Sequence, residues 1–366
     1  MARIDAFLQL ARTQGGSDIH FTVGLPPLVR VDGDLTPIAH RPLTCEEIDG
    51  MVSEILTSHH AARYRERGAV DIAYGVDGVG RFRINVCRHH RGVAAVCRVV
   101  AEEIPALEKL GLPRIVSQFT RLSNGLFLVT GATGTGKSTT LAAMIQEINR
   151  TQSLNIITLE DPVEFVHKSD RSQVIQRELG THVTNFKAGL RSALRQDPDV
   201  ILVGELRDAD TITLALEAAE TGHLVMGTLH TRGAAQTIDR IIDAHPSDHR
   251  TQIRHALADN LRAVVSQDLV RATDGRGRRV AAEVLVVTPA VAQMVREAKT
   301  FQIPDMMTTG KRLGMQLMDQ SLLALVRAGD VDPDEAFLRA EQKQEFIPFV
   351  TKSELLNTHI PRAKAA

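Results

Sequence analysis

The chain has 366 residues with 43 basic and 44 acidic side chains, enough for about two domains and with no global excess of positive charge for nucleic acid or an anionic bilayer. Tryptophan is absent and aromatic residues make up 4%, which argues against stacking platforms for single strands. Cys45, Cys87 and Cys97 form no C-x-x-C pair, which argues against a zinc module or a disulfide framework and suits a reducing cytosol.

Met1-Ala2-Arg3-Ile4-Asp5 leads straight into an amphipathic pattern rather than a signal peptide, and no apolar stretch approaches the ~20 residues of a membrane span. The expectation is a cytoplasmic protein without membrane insertion. Ile4, Phe7, Leu8 and Ala11 recur at helical spacing, and Gly15-Gly16 ends that helix. Strands are predicted over 18–23, 27–31, 69–74, 80–86 and 93–100, with a turn at Asp32-Gly33-Asp34 and helical patterning from 44 to 67. This pattern predicts a small α+β domain over 1–100. Pro105, Gly111 and Pro113 mark 101–114 as a linker, and 363–366 reads as a frayed tail.

The remainder, 115–366, alternates apolar strands with helices, which predicts an α/β domain with a parallel sheet and right-handed crossovers. Ligands of such sheets bind beyond the carboxyl ends of the strands. There the sequence is polar four times over. Leu126–Thr130 runs into Gly131-Ala132-Thr133-Gly134-Thr135-Gly136-Lys137-Ser138. The run 155–159 leads to Glu160-Asp161-Pro162-Val163-Glu164, the run 200–203 to Gly204-Glu205, and the run 224–229 to His230-Thr231.

The first of these fits G-x-x-x-x-G-K-[ST], the phosphate-cradling P-loop. Gly131, Gly134 and Gly136 can adopt angles closed to other residues, so that loop amides, with Thr133 and Thr135, form an anion nest. Lys137 puts positive charge on the outer phosphates, Ser138 offers a hydroxyl to Mg2+, and Thr139 opens a helix whose dipole favours the anion. The candidate ligands are therefore a nucleotide phosphate and Mg2+, with ATP the nucleotide that the resemblance described below implies. Glu205, expected on a strand beside the P-loop strand, is placed to activate the attacking water or to hold Mg2+ through water, a reading preferred over a charge at the start of the helix that follows. The Asp that usually precedes such a Glu is replaced by Gly204. Glu160 and Glu164 read either as further acidic groups reaching Mg2+ or the water, or as a solvated turn. His223 and His230 bracket one strand, ~23 Å apart if it is straight, so one metal cannot use both. His230, at the carboxyl end, is placed to sense the γ-phosphate; His223 reads as structural. Arg81, Arg83, Arg88, Arg91 and Arg98 leave three readings: a nucleic-acid patch, a solvated strand face, or arginines reaching nucleotide on the other domain or a neighbouring subunit.

With these residues in place the chain resembles the secretion ATPase superfamily, and within it the PilT-type retraction motors of type IV pili. Three runs carry the likeness: Ile157–His167 is similar to the family's Asp box, Leu190–Glu205 to its Walker B and Gly222–Thr231 to its His box. Gly204 is the family's own pattern. Ser17-Asp18-Ile19-His20 and Gly80–Val86 resemble its PAS-like N-terminal domain. The resemblance implies a RecA-like P-loop ATPase domain behind that smaller PAS-like α+β domain. It further implies a homohexamer with nucleotide at subunit interfaces, Arg83 and Arg98 completing the site, and roles for both His223 and His230. It implies ATP-driven pilus disassembly and twitching, and attachment to the inner membrane through a platform protein, with no direct nucleic acid. Two departures bear on the subfamily, and one is that the stretch from Asp332 to Thr358 is less like the family's. The motors' A-I-R-N-L-I-R-E motif reads Ala290-Val291-Ala292-Gln293-Met294-Val295-Arg296-Glu297 here, without the first Arg and the Asn, which leaves a PilU-like accessory ATPase open. An extension or type II secretion ATPase would carry a four-cysteine zinc module, which this chain lacks. A RecA-like nucleic-acid motor is the alternative from a different class.

Overall fold

Between positions 82 and 86 every second residue is apolar. Phe82, Ile84 and Val86 are buried, whereas Arg81, Arg83 and Asn85 point to the other face. The computed structural model describes residues 2–31, 33–100, 103–275, 277–352 and 354–356. Asp32 of the expected turn, Ala101 and Glu102 of the linker, and the tail 363–366 lie outside them. By internal contacts the chain divides into two units. The first comprises the chain through Ile104 with Glu160–His167 and Gln176–Asn185; the second comprises Pro105–Leu159, Lys168–Ile175 and the chain from Phe186 onward.

The first unit runs α1 (Asp5–Thr13), β1 (Asp18–Thr22), β2 (Leu28–Val31), β3 (Asp34–Pro37), α2 (Cys45–Ile55), α3 (Ser58–Arg67), β4 (Ala69–Val76), β5 (Gly80–His89) and β6 (Gly92–Val100). Its strands form one sheet in the order β3-β2-β1-β6-β5-β4, with every pair antiparallel. Ile19, Phe21, Phe82 and Ile84 on one face of the sheet build a core with Leu8 and Ile48 of the helices. The helical stretch expected as one span from 44 to 67 is two helices. Thr44 and Glu47 close a capping box at the start of α2, and the Thr57 hydroxyl accepts the His60 amide at 3.3 Å to start α3. Thr57 satisfies a helix-end donor that an uninterrupted helix would not offer.

The chain continues with β7 (Gly125–Thr130), α4 (Lys137–Thr151), β8 (Asn155–Glu160), β9 (Gln173–Glu178), α5 (Phe186–Ala193), β10 (Val200–Val203), α6 (Ala209–Glu220), β11 (Leu224–Leu229), α7 (Ala234–Asp243), α8 (Arg250–Asn260), β12 (Leu261–Arg271) and β13 (Arg278–Val286), mostly in the second unit. The helices α9 (Pro289–Arg296), α10 (Ile303–Thr309), α11 (Met318–Arg327) and α12 (Pro333–Arg339) follow. The sheet order is β13-β12-β7-β11-β10-β8-β9. β7 pairs in parallel with β11 and β12, and β10 with β8 and β11; β13 is antiparallel to β12. Every residue of β7, β10 and β11 is buried, as continuous apolar runs covered on both faces must be. The strand order corrects one expectation: β10, which leads to Glu205, is not beside the P-loop strand β7, because β11 lies between them. Handedness fixes how a crossover turns but not where in the sheet the next strand inserts. Val270 and Ala281 of the β12–β13 hairpin bury Leu322, Phe337 and Phe346 of the C-terminal helical region in a separate core. No helix among the described residues is long and apolar enough to cross a membrane.

Candidate active site

Thr130, the last residue of β7, is in register with Leu229 of β11 and Ser266 of β12. Gly131 and His230 therefore leave the sheet side by side. Gly131, Gly134 and Gly136 hold φ of 138°, 83° and 89°, the region that favours glycine. Gly131 is also confined by contact: a Cβ there would stand 2.3 Å from the Gln267 carbonyl oxygen and 2.7 Å from the Thr135 hydroxyl. Thr135 donates to the Ala132 carbonyl at 2.9 Å and folds the loop on itself. The Lys137 ammonium, nearly buried, donates to the carbonyls of Gly131 and Ala132 at 2.9 Å each, which keeps its charge at the head of the loop. Thr133, Gly134 and Ser138 are exposed and Thr139 is half-buried. α4 starts at Lys137, so its amino-terminal dipole faces the same loop.

At the end of β10, Glu205 accepts from Arg207 at 2.6 Å through one oxygen and lies 3.3 Å from His230 Nε2 through the other. Burial pushes the Glu205 carboxyl up. The Arg207 hydrogen bond and charge, and then His230, outweigh it and hold the group below the ordinary glutamate range. Glu205 is thus an ionised acceptor at neutral pH, the form a water-activating base needs. The Thr228 hydroxyl of β11 donates to the Gly204 carbonyl, and the Leu206 amide bonds Thr228 at 3.0 Å, so the turn that carries Glu205 is fastened to the strand that carries His230.

His223 sits at the other end of β11, where its Nδ1 lies 2.9 Å from the Ala218 carbonyl and 3.2 Å from the Thr221 hydroxyl, so it does not meet His230. In the first unit, Glu160 accepts from Gln176 at 2.9 Å, and Glu164 lies 3.8 Å from Arg83, which also stands 3.9 Å from Asp71. Arg98 is the cross-strand neighbour of Arg83 and donates to Asp18 at 2.9 Å. Burial raises the Asp18 carboxyl, but bonds from Arg98 and Ser17 carry it below its usual range. Arg81 reaches the Val163 carbonyl at 3.4 Å.

Several groups around the P-loop gave little sign of themselves in the sequence. Gln267 of β12 is buried; its amide donates to Thr140 on α4 at 2.9 Å, and its carbonyl abuts Gly131. Ser266 and Thr130 share a hydrogen bond of 2.6 Å. Arg278 stands 3.4 Å from the Gly134 carbonyl. The one available signal was polarity: Ser266-Gln267 interrupts the apolar run Ala263-Val264-Val265 on a central strand. Arg207 was visible as a charge two residues after Glu205, but nothing in the spacing paired them.

Among the described residues no group of three or more His, Cys, Asp or Glu side chains is arranged to hold a metal ion. Ser138 at the start of α4 presents an exposed hydroxyl, a donor type that suits a Mg2+ brought in with a nucleotide.

A P-loop on a central parallel strand, with the His230-bearing end of the neighbouring strand beside it and the Glu205-bearing end one strand further on, defines a P-loop ATPase with a RecA-like motor domain. The chain belongs to the type II/IV secretion system protein family, which matches residues 2–298. It is 48% identical over 318 residues to a twitching motility protein of Neisseria gonorrhoeae, covering 87% of this chain and 85% of that one. It is 43% identical to the type IV pilus retractation ATPase PilT of Pseudomonas aeruginosa, covering 94% of this chain and 99% of that one. A solved structure of the pilus retraction motor PilT with bound ADP superposes with a TM-score of 0.87 at 42% identity, covering 94% of this chain and 98% of that one.

Proposed function

We propose that this protein is the ATP-hydrolysing motor of type IV pilus retraction, the activity that disassembles the pilus and produces twitching. The observation that carries the reading is the meeting of Glu205 and His230 beside the P-loop. It joins with the similarity to retraction ATPases along nearly the whole chain. Gly131, Thr133, Gly134, Thr135, Gly136, Lys137, Ser138 and Thr139 bind the phosphates. Glu205 orients and deprotonates the attacking water, and His230 holds Glu205 and answers to the γ-phosphate. Ser138, and Glu205 through water, would hold Mg2+, which would neutralise phosphate charge when bound. Glu160 and Glu164 assist as acidic groups, His223 anchors the start of β11, and Arg83 and Arg98 serve nucleotide across a subunit interface of a homohexamer. Residues 1–100 are the PAS-like domain, 101–114 the linker and 115–366 the motor domain. The ring works in the cytoplasm against an inner-membrane platform protein.

The decisive biochemical test is Glu205→Ala, which should still bind ATP and lose turnover; normal steady-state hydrolysis by that variant sinks the assignment. In cells, loss of the gene should leave extra pili without movement. Absent pili would instead mean an extension motor, and retained retraction would mean the accessory role left open by the missing Arg and Asn in 290–297. DNA-stimulated, steeply salt-sensitive hydrolysis would favour a nucleic-acid motor.

A further inference from the structure

The turn that carries His230 is anchored at both ends. At one end Leu229 is locked into β11 by its pairing with Thr130. At the other end α7 begins at Ala234, and the Ala234 amide donates to Glu283 Oε1 of β13 at 2.7 Å. Only His230, Thr231, Arg232 and Gly233 lie between the two anchors. A bond from Thr237 to the Gly233 carbonyl and another between Thr237 and Thr231, both 2.7 Å, tighten the same turn. Glu283 also serves a second helix: its other oxygen accepts the Met318 amide, at the start of α11, at 3.4 Å. One half-buried carboxylate thus satisfies the amino termini of two helices, where a negative charge is favoured by the helix dipole. Gly233 has little room beside it, since a Cβ there would stand 3.3 Å from Glu283 Oε1.

We propose that Glu283 is a positioning residue of the hydrolytic site: it sets the far end of the His230 turn, and so the approach of His230 to Glu205, and ties that position to α11. This rests on the reading above that His230 and Glu205 act together in hydrolysis. Glu283 joins the turn beside the P-loop to the first helix of the C-terminal core built by Leu322, Phe337 and Phe346. Burial pushes the Glu283 carboxyl above its ordinary range, with Glu341 and Asp319 adding to the push, and the Ala234 and Met318 amides oppose it. The two hydrogen bonds hold the carboxyl between the two helix ends.

The test uses the full-length protein and four variants: Glu283→Ala, Glu283→Gln, His230→Ala and the double variant Glu283→Ala/His230→Ala. Steady-state hydrolysis gives kcat and KM, and titration with a fluorescent ATP analogue gives Kd. Glu283→Ala should lower kcat roughly ten- to a hundredfold through misplacement of the turn, with Kd within about twofold. Glu283→Gln keeps one acceptor for the Ala234 amide and should recover part of the loss; it also covers the case in which the alanine variant fails to fold. In the His230→Ala background, Glu283→Ala should cost little further kcat. Equal fold-losses in both backgrounds, or a change in Kd with kcat intact, would overturn the positioning role. A His230→Ala variant with wild-type kcat would instead remove the histidine from hydrolysis, and the proposal with it.

Discussion

Gly131→Ala and Gly134→Ala separate two reasons a P-loop needs glycine. Both positions have positive φ, 138° and 83°. At Gly134 nothing lies within 4 Å of an added Cβ, so the cost is backbone strain alone, about 1–2 kcal/mol for an alanine in the left-handed region. At Gly131 the angle lies outside that region and costs about 1–3 kcal/mol by itself. The methyl would then meet the Gln267 carbonyl at 2.3 Å, an overlap of about 1 Å with a backbone atom. That carbonyl cannot retreat alone, because β12 is paired with β7 on one side and β13 on the other. Overpacking of this kind adds about 1–3 kcal/mol, which brings Gly131→Ala to about 4 kcal/mol. In thermal unfolding without nucleotide the midpoint should fall by roughly 10 °C for Gly131→Ala, against roughly 2–6 °C for Gly134→Ala. The displaced loop in Gly131→Ala should also weaken binding of a fluorescent ATP analogue at least roughly tenfold, since amides moved by about 1 Å no longer converge on the phosphates. Midpoints within a degree of each other would show that the Gln267 contact is not a constraint.

Ala298 holds a φ of 57° just past α9, where its amide and that of Lys299 close the helix end on Val295 and Met294 at 3.2 and 2.8 Å. Glycine is the residue that position prefers, so Ala298→Gly should raise stability by about 0.5–1 kcal/mol in urea titration, and a loss would contradict the strain argument. Arg207→Ala should move the acid limb of the kcat–pH profile to higher pH. The arginine is what holds the Glu205 carboxyl down against burial, and without it the base protonates sooner; an unmoved limb would remove Arg207 from the site. Burial holds the His167 imidazole down to about 4 from an ordinary value of 6.5. The native state therefore excludes a proton that the unfolded chain takes up below pH 6.5, and stability should fall as pH drops from 6.5 toward 4, by about 3 kcal/mol at most. His167→Gln should flatten that part of a pH series of thermal midpoints, and an unchanged slope would assign the loss to other groups.

The P-loop was legible because its chemistry is local: a few consecutive residues each carry a separate task, and the apolar run before them can only be a buried strand. The same holds for β10 and β11, whose continuous apolar runs mark them as central strands and whose polar ends mark them as site-bearing. Strand order was not legible, because a crossover of fixed hand still has a choice of slots. That is why the strand bearing Glu205 was expected next to β7 and lies one strand further away. β3 escaped because Asp34-Leu35-Thr36-Pro37 is fully exposed and carries no apolar period. The contacts of Gln267 with Thr140, of Glu283 with Ala234 and of Arg98 with Asp18 join residues 127, 49 and 80 positions apart. No spacing rule reaches that far; they follow only from register.

The division between what was and was not legible has a mechanical meaning. The strands β7, β10 and β11 are buried throughout and joined by parallel ladders, so they move as one body. The groups we propose to meet phosphate stand beyond them, on turns held by few polar bonds: Thr135 to Ala132, Thr228 to Gly204, and Ala234 to Glu283. Each such bond contributes about 1 kcal/mol net, against several for a buried Phe127 or Met226 in the sheet. A ligand that binds the turns differently in two states therefore moves the turns at lower cost than it deforms the sheet. Local motifs fix the rigid part, and long-range hydrogen bonds set how far the rest travels.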